Sequence, residues 1–119
     1  IDHQVIRHKI AEMARRVESS QAWLEQLTYQ MEHNIDPRTL GGQLALLKVN
    51  ATKNMQYCAV QASQIFGGNS CLRQGVGSRV ERIYRDVRIA AIGGGSEEVM
   101  IDLAMRQAKL NQPTDACSL

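Results

Sequence analysis

Three consecutive glycines, Gly93-Gly94-Gly95, run directly into Ser96-Glu97-Glu98-Val99. Without Cβ atoms, this stretch can take positive φ and let another molecule lie against bare main chain. Ser96 has the hydroxyl of a helix N-cap, and Glu97 and Glu98 put negative charge in the first turn of the helix that follows. The unpaired amides of that turn point outward, toward whatever sits over the glycines. The plainer alternative is a flexible joint between two helices.

Other residues able to do chemistry form weaker patterns. Arg73, Arg79, Arg82, Arg85 and Arg88 are the densest positive stretch. Glu81 and Asp86 interrupt it and no aromatic residues alternate with it, so a solvated, salt-bridged helix is preferred over a phosphate or nucleic-acid site. His3 and His8 lack carboxylates arranged for a metal, and His33 is placed to favour a helix C-terminus. Cys58, Cys71 and Cys117 have no metal-ligand spacing and read as free thiols in a reducing compartment. No Ser-His-Asp or Cys-His arrangement follows from the spacings.

The elements that carry these residues are helical. The chain has 119 residues, 44% hydrophobic and only 4% aromatic, with few β-branched residues. That allows one core and disfavours a sheet. A net charge of +2 does not by itself argue for nucleic acid. No run nears the ~20 apolar residues of a membrane span, and the first residues lack the order of a secretion signal. The helical pattern is already running there without an initiator Met, which predicts a piece of a longer chain.

From Asp2 to His33, the residues Ile6, Ile10, Met13, Val17, Ser20, Leu24, Leu27 and Met31 alternate spacings of four and three, with Ser20 the one polar member. Trp23 lies off this seam, free to pack on another bundle in an oligomer. Asp36 and Pro37 suit the start of a second helix, although Gly41-Gly42 weaken it. Leu44, Leu47, Ala51, Met55, Cys58, Ala62 and Ile65 keep helical spacing, with Ala51 and Ala62 small enough for a close partner. Gly67-Gly68-Asn69-Ser70 stops that helix, and 69–78 is a loop. A third helix carries Val80, Ile83, Tyr84, Val87 and Ala91, with Glu81–Arg85 and Arg82–Asp86 pairs. A fourth carries Val99, Met100, Leu103, Ala104 and Gln107. It ends at Asn111-Gln112-Pro113, before a disordered tail at 111–119. The expectation is an all-α, up-and-down four-helix bundle over 1–110, with two long and two shorter helices.

Gln64-Ile65-Phe66-Gly67-Gly68, then Val80-Glu81-Arg82-Ile83-Tyr84-Arg85-Asp86, then Ile92-Gly93-Gly94-Gly95-Ser96-Glu97-Glu98 together resemble the C-terminal helical domain of acyl-CoA dehydrogenases. The opening, Gln4-Val5-Ile6-Arg7-His8-Lys9-Ile10-Ala11-Glu12-Met13-Ala14, resembles the long helix of the second half of that domain. The resemblance runs from residue 2 to about 109. It implies an FAD-dependent enzyme that removes two hydrogens from an acyl-CoA thioester, with a tetramer formed through these bundles. It places Gln4, Gln64, Ile65, Phe66, Gly67 and Gly68 against the FAD of a neighbouring subunit. Ser96, Glu97 and Glu98 fall beside the pyrophosphate of the subunit's own FAD, and Gly94 and Gly95 at the substrate. The physics is compatible. The Gln64 amide can meet an adenine or ribose edge, Gly67 and Gly68 bare the backbone, and the helix after Ser96 offers N–H groups to phosphate. A surface glutamine and a simple C-cap are the alternatives.

Two departures stand out. Many members place the catalytic Glu where this chain has Gly94, which has no side chain. In long-chain and branched-chain members the base comes from an earlier helix, which this chain lacks. The base is therefore expected upstream, or the protein is a relative without this chemistry. Glu97 and Glu98 fit cap-and-dipole roles better than that of base. The Gly94 N–H, with a flavin ribose hydroxyl, is implied to polarise the thioester carbonyl. The second departure is Ser70-Cys71, where the family has Gly and an aromatic residue in a shorter loop, which leaves the fine contacts to the neighbouring adenine open.

The expected partners are acyl-CoA, further copies of the chain as dimer or tetramer, and an electron-transfer flavoprotein, with no nucleic acid, metal or membrane span. The expected location is intracellular: mitochondrial matrix in a eukaryote, cytoplasm in a bacterium. An acyl-CoA oxidase and a flavin-free helical assembly module are the competing readings.

Overall fold

The computed structural model of the chain describes residues 2–33 and 36–110. They form α1 (Gln4–Glu32), α2 (Pro37–Phe66), a 3₁₀ turn (Gly67–Cys71), α3 (Ser78–Ile92) and α4 (Glu97–Leu110), with no strand among the described residues. This is the expected all-α bundle of two long and two shorter helices. The expected end of the fourth helix at 111–113 and the tail, with Cys117, lie outside the described residues.

The packing is unequal. α2 is the common partner on which α1, α3 and α4 all lie, and no other pair of α-helices packs comparably. α2 starts where its sequence allows: an Asp36 carboxylate oxygen accepts the Arg38 N–H at 2.9 Å, with Pro37 in the first turn. Gly41 and Gly42, which weakened the predicted start, lie inside the helix because α4 crosses there. A Cβ on Gly41 would run into the Gln107 amide, and one on Gly42 would come within 3.3 Å of the Ala104 carbonyl. Each mid-helix glycine costs about 1 kcal/mol of helix propensity, which the close approach offsets. Ala45, one turn further on, and Ala104 are both buried.

The apolar core is Leu27, Leu40 and Leu47, with Trp23 and Leu44 packed against it. Trp23, off the predicted seam, thus packs in part against the core of its own bundle. Beyond the core, the α1–α2 seam is polar. Ser20 Oγ accepts from Asn54 at 2.9 Å and Asn50 at 3.1 Å, and Arg16 donates to the Asn54 carbonyl oxygen at 3.1 Å while stacking over Tyr57. The one polar residue in the predicted α1 stripe is therefore the acceptor that fixes the register of the two helices.

The predicted α2 stripe is only partly buried. Leu47 is covered, but Ala51 and Met55 are exposed, and the buried small residues are Ala45 and Ala59 rather than Ala51 and Ala62. A helix with three partners has no single inner face. On α1, Val17 and Leu24 remain 56% and 46% exposed. They line an open, mostly apolar groove of about 540 Å³ with Leu44, Met55 and Cys58 of α2. The radius of gyration is 18.4 Å, against ~13.5 Å for a compact domain of this length. The bundle is open along this side. No helix among the described residues is long and apolar enough to cross a membrane.

Candidate functional site: two glycine turns

The first turn lies between α3 and α4. The Gly93 N–H closes α3 on the Ile89 carbonyl at 2.8 Å, and Gly93 then leaves the helix at φ −59°, ψ 138°. Gly94 (φ +72°) and Gly95 (φ +113°) take conformations that L side chains resist. Gly94 is exposed, and a Cβ there would meet nothing within 4 Å. A Cβ on Gly95 would lie 2.6 Å from Met100 Sδ. The segment is therefore neither regular helix nor shut inside the bundle.

The Ser96 carbonyl accepts the Met100 N–H at 3.0 Å, opening α4. The Glu98 carboxyl is held below the usual carboxylate range, first by its own backbone N–H, next by the Ser96 hydroxyl, with Arg88 and Lys53 nearby. Glu97 pairs with Lys53 at 2.5 Å. One glutamate is ion-paired and the other is made a weaker proton acceptor, so both fit the dipole role better than general-base work.

Two lysines that sequence reasoning passed over reach this segment, one to its main chain and one to a side chain. Lys48 of α2 donates to the Ala91 carbonyl at 2.8 Å and also to the Gly95 carbonyl. Lys53, five residues on, holds Glu97. The one signal for Lys48 is its place inside the apolar run Leu44–Val49, where a charge needs partners.

The second turn ends α2. Gly67 adopts φ 56°, ψ −140°, and its N–H donates to the Ser63 carbonyl. The expected loop over 69–78 opens as the 3₁₀ turn, closed by a buried Ser70 that donates to the Gly67 carbonyl at 2.7 Å and shares a 2.9 Å bond with the Ser63 hydroxyl. Gly77, at the start of α3, packs on the Asn69 carbonyl so closely that a Cβ there would overlap it. The outer side is bare. Gln64, Phe66, Gly67 and Gly68 are exposed, Ile65 is half-buried, and a Cβ on either glycine would meet nothing within 4 Å.

Gln4, exposed at the start of α1, belongs to this end. The antiparallel register set by Lys9–Gln61, Arg16–Asn54 and Ser20–Asn50 extrapolates to Gln4 level with Phe66. The predicted contacts thus fall into two groups: Gln4 with Gln64–Gly68, and Gly94–Glu98 beside Lys48 and Lys53. At 1.5 Å per residue along α2 the two are roughly 25 Å apart. They do not converge on one site.

The arginine stretch is the expected salt-bridged helix. Arg85 bonds Glu81 at 2.9 Å and reaches Asp86 at 3.6 Å, as does Arg82. Arg85 also keeps the Glu81 carboxyl below its usual range. Cys58 and Cys71 are free thiols, and no metal-ligand group occurs among the described residues.

The family described as "Acyl-CoA dehydrogenase, C-terminal domain" matches residues 1–109. Acyl-CoA dehydrogenase AFT10-1 of Alternaria alternata is 39% identical over 113 residues, covering 90% of this chain and 26% of that protein. Acyl-CoA dehydrogenase apdG of Emericella nidulans is 39% identical over 110 residues, covering 90% and 25%. The probable acyl-CoA dehydrogenase YdiO of Escherichia coli K12 is 32% identical over 105 residues, covering 88% and 26%. The chain spans about a quarter of the length of these relatives. No solved structure matches it. The matched span takes in both glycine turns and nearly all of the four helices, and the chain belongs to the acyl-CoA dehydrogenase family as its C-terminal domain.

Proposed function

We propose that residues 1–110 are the cofactor-contacting, subunit-joining end of a longer flavoenzyme that oxidises acyl-CoA thioesters between the α and β carbons. The observation that carries this reading is Gly94. Its backbone is bare, at φ +72°, exposed and directly ahead of the α4 N-terminus.

The residues fit an FAD in two separate places. Gln4 and Gln64, Ile65, Phe66, Gly67 and Gly68 form one exposed end, where bare glycine backbone admits a flat ring. Ser96, Glu97 and Glu98 open α4, whose amides suit a pyrophosphate. A separation of roughly 25 Å along α2 favours contact with the flavins of two different subunits. FAD, when bound, accepts the β hydrogen as hydride. The chain's own part is to hold the thioester. The Gly94 N–H donates to the carbonyl oxygen and so acidifies the α proton, and Gly95, bare against Met100, keeps the turn tight beside the substrate. The proton goes to a carboxylate upstream of residue 1. The exposed apolar residues of α1 and α2 support self-association as dimer or tetramer. An electron-transfer flavoprotein as acceptor, and a mitochondrial-matrix or bacterial cytoplasmic location, follow from the same reading.

The test uses the intact protein. It should purify yellow and assembled, and its flavin should bleach when an acyl-CoA is added without oxygen. A folded, assembled protein that takes up no flavin would leave a helical assembly module. Peroxide formed in proportion to turnover would make it an oxidase. Residues 1–119 alone should neither retain FAD tightly nor turn over.

A further inference from the structure

We infer that Lys48 is a positioning residue for the thioester-binding loop: its ammonium, reaching across from α2, sets the direction in which the main chain after Gly94 presents its amides. The inference rests on the function proposed above, but its structural half stands without it.

Gly93, Gly94 and Gly95 have no side chains with which to hold themselves, and two of them sit at positive φ. A Cβ on Gly94 would touch nothing, so packing does not fix that residue either. What reaches the loop from outside is Lys48 Nζ. It takes the Ala91 carbonyl at 2.8 Å, among the last of α3 and without a partner in its own helix, and the Gly95 carbonyl. These bonds span 43 and 47 residues of sequence. In a trans peptide, the carbonyl and the following N–H point in opposite directions. Turning the Gly95 carbonyl in to the ammonium therefore turns the Ser96 N–H away from it, and the Gly94 N–H, the proposed thioester donor, lies in the short stretch between the two carbonyls that the ammonium holds. A charged donor on the Gly95 carbonyl also polarises that peptide and strengthens the Ser96 N–H as a donor. Lys48 lies half-buried beside the apolar groove, where its charge is poorly screened.

Lys53 provides the contrast. It holds Glu97 through an exposed side-chain pair and touches no loop carbonyl. Removing it should leave the loop's main chain as it is.

The experiment compares the intact holoenzyme with Lys48→Met, Lys48→Gln, Lys48→Arg and Lys53→Met. Amide hydrogen exchange over residues 92–98 should quicken in Lys48→Met and Lys48→Gln and stay at the parent rate in Lys53→Met. The kcat of the two neutral variants should fall roughly ten- to a hundredfold. KM should change little, and the long-wavelength absorption of flavin with bound thioester should weaken. Lys48→Arg should recover part of both. Unchanged exchange in folded Lys48→Met overturns the inference whatever the turnover. Changed exchange with unchanged kcat overturns its catalytic half. Failure of both neutral variants to assemble overturns it too, because Lys48 would then hold the fold and not the loop. If the parent protein bleaches with no acyl thioester, the proposed function fails, and the exchange data alone judge Lys48.

Discussion

The two glycine turns share a composition and differ in what holds them. The turn after α2 is closed by its own neighbours: Ser70 reaches back three residues to the Gly67 carbonyl, and Ser63 is seven residues from Ser70. The turn between α3 and α4 is fastened from another helix by Lys48. Both leave glycine backbone open on the outer side. A self-closed turn keeps its shape wherever the helix end goes. A turn fastened from outside keeps its shape only while α2 and α3 stay in register. On the proposed function, the first suits a rim that meets another subunit, and the second a contact that must be aligned with its own domain.

That contrast can be broken at either turn. The largest effect is expected from Gly77→Ala. Gly77 sits at φ −93°, which any residue adopts, so the penalty is purely steric: a Cβ would overlap the Asn69 carbonyl and lie 2.9 Å from the Ser70 nitrogen. Backbone on both sides cannot yield cheaply, and about 3 kcal/mol should be lost. Native-state amide exchange of residues 67–80 in the intact protein measures it, with residues 92–98 spared. Exchange that quickens equally at both turns would mean that they are not independent.

Next, Gly95→Ala should cost about 2 kcal/mol and Gly94→Ala about 1 kcal/mol of local stability. Both carry backbone strain, but only Gly95 also meets a neighbour, Met100. In turnover the order should reverse. Gly94→Ala puts a methyl group into the open space where the thioester is proposed to lie, and a kcat/KM comparison separates the two. Ser70→Ala should cost about 1 kcal/mol, since it removes the donor to Gly67 and leaves the Ser63 hydroxyl with one partner fewer. Exchange at 64–72 reads that loss.

The smallest effect is a pH dependence at the α4 start. The Glu98 carboxyl is depressed from its ordinary 4.5 in the folded protein. Its contribution is therefore fully present above that value and is lost as the pH falls through the lower, folded value. The midpoint difference between the parent and Glu98→Gln should shrink on going from neutral pH to pH ~3. A constant difference would mean that the Ser96 and backbone contacts do not hold the ionised form.

Much of this was readable from local pattern. Asp36-Pro37 falls where α2 starts, and Gly67-Gly68 and Gly93-Gly95 where α2 and α3 end, because proline and glycine act on the backbone where they stand. The Glu81–Arg85 pair was legible for the same reason: residues four apart on a helix are neighbours in any fold. Gly41-Gly42 misled, since their purpose is the approach of α4, more than sixty residues later in the chain.

The sequence by itself determined where the helices run, where they stop and which backbone is left bare, since each depends on residues within a turn or two. Only the tertiary structure decided which sides of α2 are covered, that Trp23 packs in part against the core, and that Lys48 holds the loop. Those outcomes depend on how helices cross, and a helix with three partners has no single period from which its crossings can be read.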